Sequence, residues 1–364
     1  MLLITCHRGL EEVSERELKE FGLKVEEKLF GKIIAKGKEK DAVELNYYAR
    51  TINRVIFLLW FGIFEDLEDI EEKTCRIPWE DYIEREKTFG VEAKRVGKHS
   101  FTSMELAMLV GRAVMKRIEK EKGFRPRVFL EDPDIIVYAE VNRERLFLGI
   151  DTTGDSLHMR GYRVYQHPAP ISPSLASSLL YIAGKPKRVI DPFCGSGTIP
   201  IENVLMHWNI PKIWRNFAFE KIEKFREIFE KIKERKPKIE ESFGYGFEKF
   251  KKHVEGAKRN AESAGVSEAT EFWVGDATNL ESYRGDFETI VTNPPYGLRI
   301  ASKRMIEKLY DRFAKVVKEI GSELVLITGE PYFIKAAEKA KLELVEKKNI
   351  IYGSLPALIL HYFP

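Results

Sequence analysis

The tetrapeptide Asn293-Pro294-Pro295-Tyr296 has the residue types and order to hold an amine for alkylation. The Asn293 side-chain oxygen and the Pro294 carbonyl both accept hydrogen bonds, so together they can grip the exocyclic NH2 of a nucleobase. That amine is a poor nucleophile while its lone pair is delocalised into the ring. Two acceptors favour a pyramidal nitrogen whose lone pair points at an electrophile. Consecutive prolines stiffen the backbone and bring no amide hydrogens to compete for the acceptors. Tyr296 supplies a face on which an extruded base stacks. The chemistry that follows is in-line displacement of a methyl group from a sulfonium cation, which calls for no metal. Methylation at a ring carbon would need a cysteine near this loop, and Cys194 sits in another turn.

A sulfonium donor needs its own site. The apolar run Arg188 to Asp191 leads into Pro-Phe-Cys-Gly195-Ser196-Gly197-Thr198. Glycines between a strand and a helix let the backbone and the helix N-terminus approach an anion, here the methionine carboxylate of S-adenosylmethionine. A dinucleotide fingerprint would want a third glycine where this chain has Pro200. Glu248, closing Gly-Phe-Glu, offers two acceptors to a ribose cis-diol, and Asp276, followed by Ala277, can accept from the adenine amine. Ligands sit at the carboxyl ends of such strands, so three acid-bearing ends in order support one site. Glu248 lies farther on than the usual spacing of about 20 residues. The lysine-rich segment from about Lys212 to Glu241 explains the gap; it reads as an amphipathic surface insertion, with Ile222, Phe225, Ile228, Phe229 and Ile232 at helical spacing. Glu220, within it, is a weaker substitute for Glu248. His99 and His167 are general-base candidates that read better as structural or RNA-contacting residues.

These motifs need elements to carry them. From residue 176 to 364 strands and helices alternate, which predicts an α/β domain, a doubly wound Rossmann-like parallel sheet with helices on both faces. Residues 2 to 64 read as βαββαβ, a ferredoxin-like α+β unit filling residues 1–64. Residues 65–150 form a second α+β unit. Its first part, 65 to 90, carries ten acidic and four basic side chains; residues 91 to 130 reverse this with ten basic and four acidic. The basic part holds a strand from Gly90 to Val96 and a helix opened by a Thr102-x-x-Glu105 capping box. Residues 151–175 mix Gly, Pro and polar types and read as a linker.

The whole chain has 364 residues, 44% of them hydrophobic, and a formal net charge of +3, too small to mark the entire surface as a polyanion binder. Three scattered cysteines form no CxxC pair, which argues against a zinc site or a disulfide framework and fits the cytoplasm. The most apolar stretch, Val55 to Phe64, is half the length of a membrane span.

Together these residues resemble the THUMP-domain class I methyltransferases, in particular the archaeal and bacterial tRNA guanine-N2 methyltransferases that modify position six of the acceptor stem. The resemblance runs through Thr5 to Glu11, Phe89 to Arg112, Val141 to Gly149, His167-Pro-Ala-Pro170-Ile-Ser172, Asp191 to Thr198 and Asn293 to Tyr296. It implies that residues 65–150 are a THUMP domain and that the N-terminal units bind tRNA at its acceptor stem and 3′ CCA end. Arg95, Lys98, His99, Arg112 and Lys116 are then tRNA contacts, and the segment holding His167, Pro170 and Ser172 covers the cofactor. A monomer with no membrane or metal partner is expected. Relatives that modify guanosine 10 of tRNA or ribosomal RNA share these motifs. Adenine-N6 methylation of DNA would need base-reading elements that the N-terminal half does not resemble. Protein glutamine methylation gives no reason for a basic domain, and a non-catalytic RNA-binding module gives none for the cofactor acids.

Overall fold

The computed structural model describes residues 1–295 and 303–364. It begins β1 (Leu2–Cys6), α1 (Glu11–Glu20), β2 (Lys24–Leu29), β3 (Lys32–Lys36), α2 (Glu39–Tyr48) and β4 (Ile52–Ile63), the βαββαβ order expected from the apolar spacing. There follow α3 (Leu67–Arg76), β5 (Thr88–Val96), α4 (Ser103–Lys122), β6 (Arg127–Val128), β7 (Ile135–Asn142) and β8 (Arg145–Asp151). The remainder alternates: α5 (Pro173–Ile182), β9 (Arg188–Asp191), α6 (Thr198–His207), α7 (Glu223–Lys233), β10 (Phe243–Glu248), α8 (Lys251–Ala264), β11 (Thr270–Val274) and β12 (Thr289–Thr292). It ends with α9 (Lys303–Ile320), β13 (Glu323–Thr328), α10 (Tyr332–Ala340), β14 (Glu343–Tyr352) and β15 (Leu355–Phe363). Among the described residues no helix is long and apolar enough to cross a membrane.

The first two units share one eight-stranded sheet, ordered β2-β3-β1-β4-β8-β7-β5-β6. The seam is the antiparallel pair β4 and β8, registered from Ile56 opposite Asp151 to Ile63 opposite Arg145. Gly149 permits it: a Cβ there would stand 2.3 Å from the Phe57 carbonyl oxygen. Helix α4 begins at the expected capping box, with Thr102 accepting from the Glu105 amide at 3.2 Å and Glu105 accepting from the Thr102 amide at 2.7 Å.

The third unit is a seven-stranded sheet ordered β11-β10-β9-β12-β13-β15-β14. Strands β11 to β13 run parallel, and β15 returns antiparallel against β13. The chain winds outward from β9 through β10 to β11, then crosses back to β12. That reversal opens a crevice at the carboxyl ends of β9 and β12, where doubly wound sheets bind ligands.

Of residues 151–175, read from composition as a linker, Asp151 closes β8 and 173–175 open α5, while 152–172 hold no helix or strand, yet Thr152, Thr153, Leu157, Arg160 and Tyr162 are buried. The expected insertion is amphipathic, most of residues 212–241 being exposed, while Phe225, Phe229 and Ile232 of α7 join the core of the N-terminal sheet. Phe229 meets Tyr47 edge-on at 5.0 Å and Phe225 meets Phe57 at 5.6 Å. The helical stripe was legible, but the core it fills belongs to another part of the chain.

Glu202 of α6 fastens this junction. Fully buried, it accepts from Arg160 at 3.1 and 3.2 Å, from Tyr162 at 3.0 Å and from Ser177 at 2.9 Å, with the Arg50 guanidinium 3.7 Å away. Arg160 also donates to the Arg50 carbonyl at 2.7 Å. Burial opposes ionisation of Glu202, but the Arg160 and Arg50 charges hold its carboxyl below the usual range. Removing one partner of such a cluster strands the others in low dielectric. Glu202→Ala is therefore expected to cost about 3–5 kcal/mol of stability in chemical denaturation; a loss within the range of an ordinary surface substitution would show that the cluster does not hold the junction.

Candidate active site

A cavity of about 870 Å³ opens at the carboxyl ends of β9, β10 and β12. Most of the expected site residues line it. Asp191, Gly195, Ser196 and Thr198 come from the turn after β9, and Glu248 from the end of β10. Asp276 and Ala277 follow β11, Asn293 and Pro294 follow β12, and His167 and Pro170 arrive from the irregular segment. Two expected residues do not line it. Gly197 is the N-cap of α6, and Ser172 is the N-cap of α5, where its hydroxyl accepts from the Leu175 amide at 3.3 Å and lies 3.2 Å from His7 Nε2. Ser172 thus ties the cover to the N-terminal unit, as a serine before a proline at the first helical position would. Tyr296 lies outside the described residues.

The glycine turn is shaped by close approach. Gly197 has φ 78°, and a Cβ there would stand 2.9 Å from the Phe272 ring; Gly195, at φ 52°, leaves 3.3 Å to the His167 ring. The Gly195 amide donates to Glu248 at 3.3 Å, joining the turn to the acid of β10. Asp276 accepts from the Thr278 amide and hydroxyl at 2.9 and 2.8 Å. Burial would raise its carboxyl, but these bonds and Lys249 hold it below its ordinary value. Asp191 accepts from the Thr292 hydroxyl at 2.5 Å and the Phe193 amide at 3.0 Å. Burial nevertheless pushes its carboxyl up to about 7.

Across the crevice, the buried Oδ1 of Asn293 has no hydrogen-bond partner among the described residues. A buried acceptor left open costs free energy unless a ligand completes it. The loop is fixed from α9, where the Tyr310 hydroxyl donates to the Pro295 carbonyl at 3.0 Å. On the opposite wall the His167 and His253 rings meet edge-on at 4.4 Å, and the Tyr165 hydroxyl lies 2.6 Å from His253 Nδ1. Burial first, and then the His167 charge, lower the His253 value. An open acceptor, a glycine turn that excludes Cβ atoms and acids at successive strand ends fit S-adenosylmethionine, with an amine presented at Asn293. Among the described residues no group of three His, Cys, Asp or Glu side chains is arranged for a metal ion.

Sequence reasoning missed Phe250, His253 and Tyr352, all lining the cavity. The first two flank the start of the helix after Glu248, a position that the strand-helix alternation already sets at the mouth. Tyr352 comes from the C-terminal hairpin, which no motif marks.

The expected RNA-contacting residues lie on the N-terminal sheet unit, Arg95 and Lys98 at and just past the end of β5 and Arg112 and Lys116 on α4. The acidic run offsets part of this charge: Glu80 holds Arg117 at 3.1 and 2.6 Å, and Glu71 reaches Lys116 at 3.4 Å. No acid among the described residues pairs with Lys98 or Arg112, and both are exposed. His99 lies 2.8 Å from the Arg143 carbonyl oxygen and packs on Phe101 at 5.4 Å.

Comparison with known proteins agrees with this geometry. Residues 160–357 match the family described as RMKL-like, methyltransferase domain; residues 64–151 match the THUMP domain and 1–56 the RlmL ferredoxin-like domain. The sequence is 40% identical over 370 residues to the tRNA (guanine(6)-N2)-methyltransferase of Methanocaldococcus jannaschii, covering 97% of each chain. It is 41% identical over 360 residues to the enzyme of the same name from Archaeoglobus fulgidus, covering 96% of this chain and 89% of that one. The fold matches the crystal structure of SMU.472 complexed with SAH, with a TM-score of 0.85 at 22% identity over 100% of this chain and 97% of that one.

The Asp191 environment generates a pH test. With its carboxyl pushed up to about 7, Asp191 is expected to change charge near neutral pH, and a sulfonium bound beside it would favour the carboxylate and expel the proton. Affinity for S-adenosylmethionine, measured calorimetrically, is expected to weaken about tenfold from pH 8 to pH 6. Thr292→Val, which removes a bond to the carboxylate, should move that transition to higher pH. A flat profile in both proteins would separate Asp191 from cofactor binding.

Proposed function

Because the chain belongs to the RMKL-like methyltransferase family and carries a THUMP domain, we propose that it methylates the exocyclic N2 of a guanosine in tRNA, giving N2-methylguanosine. The proposed target is position 6 of the acceptor stem. The observation that carries the chemistry is the buried Asn293 oxygen beside Pro294, which has no hydrogen-bond partner among the described residues, in the same cavity as the glycine turn and the strand-end acids.

When bound, S-adenosylmethionine supplies an electrophilic methyl group. Gly195, Ser196 and Thr198 hold its carboxylate end at the start of α6, Glu248 its ribose hydroxyls and Asp276 with Ala277 its adenine. Asn293 Oδ1 and the Pro294 carbonyl accept from the guanine amine and orient its lone pair, with Tyr296 proposed as the stacking face. His167 and Pro170 exclude water from above the turn. Transfer leaves a cationic amine that loses one proton to solvent as it returns to neutrality.

The position-6 assignment is supported by similarity to two archaeal enzymes of that name along nearly the whole chain. Lys98 and Arg112, assisted by Arg95, His99 and Lys116, are proposed to hold the acceptor stem and 3′ CCA end. The protein is proposed to act as a monomer in the cytoplasm, where its tRNA substrate is found.

Labelled S-adenosylmethionine incubated with unmodified tRNA transcripts should yield N2-methylguanosine mapping to the acceptor stem; label confined to ribosomal RNA, DNA or protein would overturn the substrate. Asn293→Ala is expected to lower turnover about 10²- to 10³-fold while tRNA and cofactor binding persist. Equal loss of binding would assign the residue a structural role. Reversing Lys98 and Arg112 to glutamate should weaken tRNA binding and flatten its salt dependence; unchanged affinity would return them to an ordinary solvated face.

A further inference from the structure

The proposed reaction draws one base into the cavity, which leaves the flanking ribose-phosphate strand at the mouth. Helix α9 forms one side of that mouth. Its inner face, Ile306, Tyr310, Phe313 and Val317, is buried in the core of the methyltransferase sheet. Its outer side carries Lys308 and Arg312, both exposed and both lining the cavity that holds Asn293. Spaced i and i+4, they stand one above the other, about 6 Å apart along the axis, a stride suited to neighbouring phosphates of one strand.

Two further observations separate this pair from a solvated helix face. The acid between them, Asp311, is held by Lys339 of α10 at 3.0 Å, and no acid among the described residues pairs with Lys308 or Arg312. Lys249, on the far side of the mouth, is by contrast committed to Asp276 at 3.7 Å. The free cations therefore sit on the Asn293 side of the opening, away from the acids assigned to ribose and adenine.

We propose that Lys308 and Arg312 form a phosphate clamp that grips the RNA strand beside the target nucleotide and holds it while the base reaches Asn293. They act as positioning residues, and the inference rests on the RNA-methylating reading above. Phosphate contacts carry no sequence information; they fix register. The N-terminal surface would then hold a distant part of the RNA, and α9 the nucleotide to be modified.

The test compares full-length wild-type protein with the double variants Lys308→Ala/Arg312→Ala and Lys308→Arg/Arg312→Lys on unmodified tRNA transcripts at several salt concentrations. The alanine pair is expected to lose about tenfold or more in kcat/KM, with the log–log salt slope of tRNA affinity shallower by about 1.5. S-adenosylmethionine affinity and melting temperature should stay at wild-type values, and the charge-conserving pair should retain most activity. Wild-type rates and slope in the alanine pair would overturn the clamp, as would a fall in cofactor affinity, which would place the two cations on the cofactor instead. Absence of label from tRNA with the wild-type protein would overturn the functional reading and the clamp with it; wild-type labelling matched by the alanine pair would remove the clamp alone.

Discussion

One buried carboxylate holds three parts of this molecule in register. Glu202 lies one turn into α6, the helix whose N-terminus forms the glycine turn of the cofactor site. Its partners are Arg50, from the join between α2 and β4, and Arg160, from the irregular segment that continues into the His167 cover. A buried charge is tolerated only when its acceptor sites are filled, and here two guanidinium bonds, a phenol and a hydroxyl fill them. The N-terminal sheet, the cover and the helix after the glycine turn therefore cannot shift independently without opening that cluster. Other contacts point the same way: Lys212, fully buried, donates to the Asn46 carbonyl at 2.9 Å, and Arg8 bridges to Ile351 of the last hairpin.

This rigidity explains which features were legible in the sequence. Local signals transferred well. The capping box at Thr102, the glycine turn after Asp191, the acids at Glu248 and Asp276 and the loop at Asn293 each follow from short-range spacing, and all of the last four line the cavity. What stayed hidden depends on partners far along the chain. Residues 151 to 172 have the polarity and glycine content of a linker because their polar groups are satisfied internally: Thr153 bonds Asn46 at 2.6 Å, and Arg160 bonds Glu202. The apolar stripe of α7 was visible, but nothing local says that it fills the core behind Tyr47 and Phe57.

The charge pattern shows the same limit. Counting by segment makes residues 91 to 130 strongly basic, yet Glu80, just past α3, neutralises Arg117, and Glu71 of α3 offsets part of Lys116. Lys98 and Arg112 have no acidic partner among the described residues, because the acidic run does not reach them. On α9 the reverse holds, since Asp311 is drawn off by Lys339 of α10 while Lys308 and Arg312 are left over the cavity.

If the N-terminal surface holds the RNA as proposed, the fastened junction fixes its distance from the reaction cleft, and the target is selected by distance. The most direct measurement uses tRNA transcripts with one base pair inserted in the acceptor stem and guanosines at both the original and the shifted site, followed by mapping of the labelled nucleoside. A fixed separation between the held 3′ end and the cleft predicts that the label moves by one nucleotide and keeps its distance from that end. Label remaining on the original guanosine would contradict the account, because the chain would then be reading local sequence and the fastened junction would not set the site.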